Sequence, residues 1–152
     1  MSRAESAKEY FMQGYACSQA VALAFSDLLG LDKEMIAKLT LPFGGGLGRM
    51  RLTCGAVSGM AFVIGAVFAE GKNSPENKKK TYAITQALSL RFKEEFGSLI
   101  CLDLLSGMNV PVQVGGEAEP RTETYYKKRS CADIVYCAAD IVENYLKEKE
   151  IL

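Results

Sequence analysis

Residues 43–59 read Phe-Gly-Gly-Gly-Leu-Gly-Arg-Met-Arg-Leu-Thr-Cys-Gly-Ala-Val-Ser-Gly, and an uncharged run that starts at Leu52 continues to Ala69. This stretch constrains the fold more than any other. A run of glycines follows a path that side chains would make costly. The 18 residues from Leu52 to Ala69 carry no charge and must be buried in protein or in lipid. Gly55, Gly59 and Gly65, with Ser58 and Thr53, dilute the apolarity, and the rest of the chain has no membrane pattern, which favours a helix buried in protein. Small residues at Gly55 and Gly59 let a second backbone come close, which suits a central helix packed on all sides. Thr53 is a good N-cap, so Cys54 falls in the first turn of this helix. Free N–H groups and a partial positive charge favour thiolate over thiol there, and Arg49 and Arg51 add to the effect if they fold back over the sulfur. The plainer reading is that Cys54 is a small buried residue.

The rest of the chain supplies helices to surround this one. Residues 2–13 form a first helix stopped by Gly14, and 16–29 a second with an apolar face at Ala20, Val21, Ala24, Phe25 and Leu28. Asp32 caps a third over 33–41. Ser74-Pro75-Glu76 opens a long helix with Ile84, Leu88, Phe92 and Phe96 in one stripe, closed by Gly97. Ser98 begins a short helix to Leu105. Pro111, Pro120 and the Gly115-Gly116 pair make 107–124 a long irregular connection, which in a small domain is functional or mobile. Ser130 caps the last helix, with Asp133 completing a capping-box-like pair. The best strand candidate, Val110 to Val114, is spoiled by proline. The expectation is an all-α, single-domain helical bundle of about six or seven helices, with the Gly-rich loop leading into a central apolar helix.

Composition removes most familiar chemistries. The chain has no histidine, so histidine-dependent triads, His-ligated zinc and His-ligated haem are excluded. Formal charge balances at zero, with no basic block suited to nucleic acid. No apolar leader opens the chain, so a cytoplasmic location is expected. The five cysteines include no C-x-x-C pair, hence no thioredoxin-type motif or zinc-ribbon knuckle. Gly44-Gly45-Gly46-Leu47-Gly48 is not G-x-G-x-x-G, since Arg49 stands at the third glycine position, and it lacks a phosphate-loop lysine, so no nucleotide is expected. Ser58 has no base nearby, Lys78-Lys79-Lys80 reads as a solvated face, and Tyr15, Tyr125 and Tyr126 read as packing anchors.

Cys17, Cys54, Cys101 and Cys131 share one address, the first turn of an expected helix. On the last helix Val135, Ala138, Val142 and Tyr145 lie within about 40° of Cys131, whereas Cys137 lies about 120° away. Cys131 therefore points inward and Cys137 flanks the core. Four such thiols suit dithiol–disulfide chemistry, a Cys-ligated iron–sulfur cluster or zinc site, or a non-redox role in small-ligand binding or structure. Cys54 is the expected thiolate-like member. Gly44, Gly45, Gly46, Gly48 and Arg49, with Gly55 and Gly59, are the residues expected around a cofactor or substrate, the loop supplying N–H groups and an opening to solvent.

Gly14-Tyr15-Ala16-Cys17-Ser18-Gln19-Ala20-Val21, Phe43-Gly44-Gly45-Gly46-Leu47-Gly48-Arg49, Cys54-Gly55-Ala56-Val57-Ser58-Gly59, Gly97-Ser98-Leu99-Ile100-Cys101 and the Cys131 helix occur in that order. Together they resemble the redox-active family named for its C_GCAxxG_C_C cysteine pattern. The resemblance implies that Cys17, Cys54, Cys101 and Cys131 are the shared cysteines and Cys137 is not. It also implies a bacterial or archaeal protein working with a redox partner protein. A distant similarity to the iron–sulfur-bearing part of split-Soret cytochromes c keeps a cluster in view, without haem, since no haem-attachment motif is present. Ala16 stands where relatives commonly carry Asn, and Arg51 where glycine is common. A balanced charge and an apolar central helix permit a homodimer.

Overall fold

The computed structural model describes residues 1–152 and holds eight α-helices and no sheet. They are α1 (Arg3–Met12), α2 (Cys17–Leu23), α3 (Lys33–Thr40), α4 (Gly55–Phe68), α5 (Pro75–Phe96), α6 (Cys101–Ser106), α7 (Glu123–Lys128) and α8 (Cys131–Glu148). The all-α bundle expected from the sequence is what forms. The helix added to the expected set is α7, which Thr122 starts by accepting from the Tyr125 N–H.

Helix α1 lies along α8 and against α2, joining the two ends of the chain. Helix α2 packs on α4, and α5 covers the far side of α4 and α8. The interior is closed by Phe11, Phe25, Ile36, Met60, Leu88, Phe92, Val135 and Leu146, all essentially without solvent contact. Two hydrogen bonds fix α3 on α2: the Ser18 hydroxyl donates to Thr40 O (2.6 Å) and the Gln19 amide to Ala37 O (2.9 Å). The α2–α4 crossing depends on Gly59, where a Cβ would stand 2.9 Å from both Ser18 O and Val21 Cβ. The close approach read from Gly55 and Gly59 is therefore real. The central helix is not packed on all sides, however. Its buried positions run from Gly55 to Ile64, and Ala66 is exposed beyond them.

Other boundaries also move. Helix α2 ends at Leu23, and a short 3₁₀ turn at Ser26–Leu28 carries the chain on to Gly30. Helix α4 begins at Gly55, so Cys54 is its N-cap and Thr53 lies outside. Thr53 instead bridges to Ile100 in an isolated antiparallel pair. Ser130 precedes α8 but makes no side-chain cap, so the capping box with Asp133 does not form; Asp133 pairs with Lys8 on α1 at 3.2 Å. Val110 to Val114 forms no strand.

Candidate functional site

Each of the four cysteines sits where a helix starts. Cys17, Cys101 and Cys131 are the first residues of α2, α6 and α8, and Cys54 caps α4. These helix starts converge on a cavity of about 340 Å³ that all four cysteines line. Gly44, Gly45, Gly46, Gly48, Arg49 and Gly55 line it too. Gly59 does not; it lies one turn further along α4, in the contact with α2. Cys137 is outside the cavity and half-buried, its thiol pushed up to about 11 by burial and then by Glu95 and Asp140.

Backbone bonds place the thiols. The Cys54 N–H donates to Leu99 O (2.8 Å) and the Cys101 N–H to Leu52 O (2.6 Å), so the segments entering α4 and α6 are clamped side by side. The Gly-rich segment is a tight turn in which Gly45 and Gly46 take positive φ (66° and 70°). A Cβ on Gly46 would stand 2.6 Å from Cys101 Cβ. Within the turn, Gly45 O accepts from the Arg51 N–H (3.2 Å) and Gly46 O from the Leu52 N–H (2.9 Å). The Gly44 and Gly48 N–H groups are spent on Leu41 O and Gly44 O. The missing side chain at Gly46 is what allows the turn to approach Cys101 closely. At the other end, Ala16 offers no side-chain cap to α2, while Gln19 Oε1 reaches back to accept from the Ala16 N–H (2.9 Å).

Residues 107–122 form the outer wall. The Gly115 N–H donates to Arg49 O (2.8 Å), and Arg51 Nε donates to Gln113 O (3.0 Å). Arg121 closes the wall, donating from Nη1 to Phe11 O and from Nη2 to Tyr15 O, both at 3.0 Å. Its guanidinium lies over Phe11 (4.2 Å to the ring centroid) and Tyr125 (5.0 Å). Glu119 receives Arg129 Nη2 at 2.5 Å and stands 3.7 Å from Arg49 Nη2. Arg121, Tyr125 and Glu119 were not legible as site residues, because nothing local in the sequence marks them apart from any charged loop.

The electrostatics reverse one expectation. Cys54 is pushed up to about 12 by burial, against the opposing hydrogen bonds from the Ala56 and Val57 backbone. Arg51 turns away from it, with Nη1 3.7 Å from Cys101 Sγ, and that contact opposes the upward push of burial on Cys101. The thiolate-favouring position is Cys131. Its thiol is held below the ordinary cysteine range by a hydrogen bond from Cys17, then by Arg129, Arg121 and Arg51, against burial. Cys17 is raised in turn by that hydrogen bond to Cys131, by burial and by the charges of Cys131 and Cys54. A proton shared between two thiols rests on the one with fewer cations near it, which is Cys17. Tyr125, beside the pair, is pushed up to about 12 by burial, so it stays a neutral donor.

No three Cys, Asp or Glu side chains converge closely enough to hold one metal ion.

A family model described as "Putative redox-active protein (C_GCAxxG_C_C)" matches residues 15–145. The chain belongs to this family. The span includes every thiol that lines the cavity, and the family description carries a redox role in general. No curated protein and no solved structure matches the chain. No helix is long and apolar enough to cross a membrane.

Proposed function

We propose that the chain is a thiol–disulfide exchange protein in which Cys131 attacks and Cys17 resolves. The observation that carries this reading is that Cys17 and Cys131 line one cavity together with Arg129 and Arg121, whose charges favour the Cys131 thiolate. Ionised Cys131 attacks one sulfur of a substrate disulfide. The substrate S–S bond breaks, one thiolate leaves, and a mixed disulfide remains on Cys131. The Cys17 proton passes to the departing thiolate. Cys17, now ionised, attacks Cys131 Sγ, the mixed disulfide breaks, and the second substrate thiol leaves with a proton from solvent. Two electrons have moved from the pair to the substrate, and Cys17 and Cys131 are joined. Cys54 and Cys101, clamped as neighbours but raised in pKa, are slower thiols suited to a reserve pair.

Thiol counting on the folded protein tests this. Reaction with a stoichiometric disulfide lowers the free thiol count by two, and peptide mapping finds Cys17 linked to Cys131. An unchanged count, or a first bond elsewhere, removes the assignment.

A Cys-ligated iron–sulfur cluster is the second reading, favoured by the convergence of all four thiols on one cavity surrounded by arginines. Its ligand sulfurs stand further apart than those of a single ion. Such a cluster would supply one-electron transfer, and the four thiols would have to give up their protons to ligate it. A brown protein with stoichiometric iron and sulfide after anaerobic purification would replace the first reading with the second.

A further inference from the structure

We propose that the cavity receives a small disulfide carrying carboxylates, drawn in by arginines that the chain itself leaves short of negative charge. This rests on the exchange reading above and names its substrate class. The cavity wall contains Arg49, Arg51, Arg121 and Arg129 and a single carboxylate, Glu119. Guanidinium stays charged at any physiological pH. With every thiol protonated, three positive charges are therefore in surplus, and with Cys131 ionised two remain.

The surplus is built in. Arg51 is 5% exposed and Arg129 8%, and burial makes uncompensated charge far more consequential than on a surface. Arg51 and Arg121 have no carboxylate partner; their hydrogen bonds go to Gln113 O, Phe11 O, Tyr15 O, the Tyr126 hydroxyl and the Cys101 sulfur. Arg49 Nη2 is buried without any hydrogen bond, 3.7 Å from Glu119, which is too long for one. An unpaired buried donor is costly, and a ligand oxygen would relieve it. Glu119 lies on the outer wall and is 42% exposed, across Arg129 and Arg49. It sits as an internal stand-in for the carboxylate of a ligand.

The remaining walls set the size and body of that ligand. Leu41, Leu104, Leu105, Met108 and Ile134 give apolar surface, and about 340 Å³ is at the small end of ligand sites. A short aliphatic disulfide with a carboxylate at each end satisfies volume, apolar body and charge together. Its sulfurs would lie toward Cys131 and its carboxylates toward Arg49 and Arg51.

The test compares three disulfides of similar length and different charge: 3,3′-dithiodipropionate (dianion), 2-hydroxyethyl disulfide (neutral) and cystamine (dication). With the reduced, full-length protein, oxidation should be fastest for the dianion and slowest for the dication. Each step should be roughly tenfold or more at low salt, narrowing as ionic strength rises. Equal rates, with exchange proceeding, overturn the anion site and leave the exchange reading standing. Binding of the dianion to the Cys17→Ser/Cys131→Ser protein, followed by calorimetry, isolates recognition from chemistry. Binding there without oxidation of the wild type would keep the site and sink the exchange reading. Glu119→Gln should tighten this binding severalfold by removing the competing carboxylate, and Arg49→Gln should weaken it. An unchanged or weaker affinity in Glu119→Gln, in protein with native circular dichroism, would refute the stand-in.

Discussion

Replacing Gly46 by Ala perturbs the site at one carbon. Gly46 has φ 70° and ψ 54°, a left-handed conformation that costs an L-residue about 1–2 kcal/mol. Its new Cβ would also stand 2.6 Å from Cys101 Cβ, 2.7 Å from Leu52 N and 2.9 Å from Arg51 Cα. Two of those atoms are main chain and no rotamer change relieves them, so the overlap adds about 1–3 kcal/mol. The sum, about 2–5 kcal/mol, is a large fraction of the 5–15 kcal/mol typical of a domain. Gly48 supplies the control. Its φ is 56°, but the nearest atom to an added Cβ is Pro42 O at 3.9 Å, so Gly48→Ala meets only the conformational cost. Urea unfolding of both variants under reducing conditions, monitored by far-ultraviolet circular dichroism, should place Gly46→Ala about 1–3 kcal/mol below Gly48→Ala. Midpoints that coincide would show that Cys101 is not held against the glycine turn.

Alkylation of the folded protein at neutral pH should modify Cys131 before Cys54, and Cys17→Ala should slow it by removing the hydrogen bond that favours the thiolate; mass mapping decides, and Cys54 reacting first refutes the order. Above the ordinary thiol range the fold should weaken, because Cys54 and Tyr125 keep their protons to about 12 while their unfolded counterparts lose them near 9.0 and 10.0. The native state then binds more protons than the unfolded one, so stability present below pH 9 is lost as pH rises toward 12. Cys131 has the opposite sign, gaining stability as pH rises into the thiol range. Urea midpoints that stay level from neutral to strongly alkaline pH would contradict the burial of Cys54, and Cys54→Ala should flatten part of the slope. Arg121→Ala should cost about 2–4 kcal/mol through two lost charged hydrogen bonds and a ring contact. Arg121→Lys should recover little, since one ammonium cannot span Phe11 O and Tyr15 O. Full recovery in the denaturation curve would show that charge alone mattered.

Punctuation made much of this fold legible. Gly14, Gly30 and Gly97 sit at positive φ, the first just past α1, the last closing α5, and Ser74 and Asp32 cap helices as their types suggest. The four-thiol address was legible for the same reason: each cysteine follows a break in the apolar pattern. What stayed hidden was which thiol each cation meets. Arg49 and Arg51 adjoin Cys54 in the sequence, but both take positive φ, and the turn sends one guanidinium to Glu119 and the other to Cys101. Arg121 and Glu119 belong to the site through long-range bonds that no periodicity encodes. Ser130 and Asp133 had the residues of a capping box, yet Lys8 on α1 draws the carboxylate away.

Helices α1 and α8 lie together, and the cysteines that follow the one and begin the other line the same cavity. A covalent link from Cys17 to Cys131 would close a ring containing most of the polypeptide. Loops of that length restrict the unfolded chain by roughly 5 kcal/mol. Melting temperature would then act as a gauge of oxidation state, and a cell's proteases would meet a tougher substrate whenever reductant ran low.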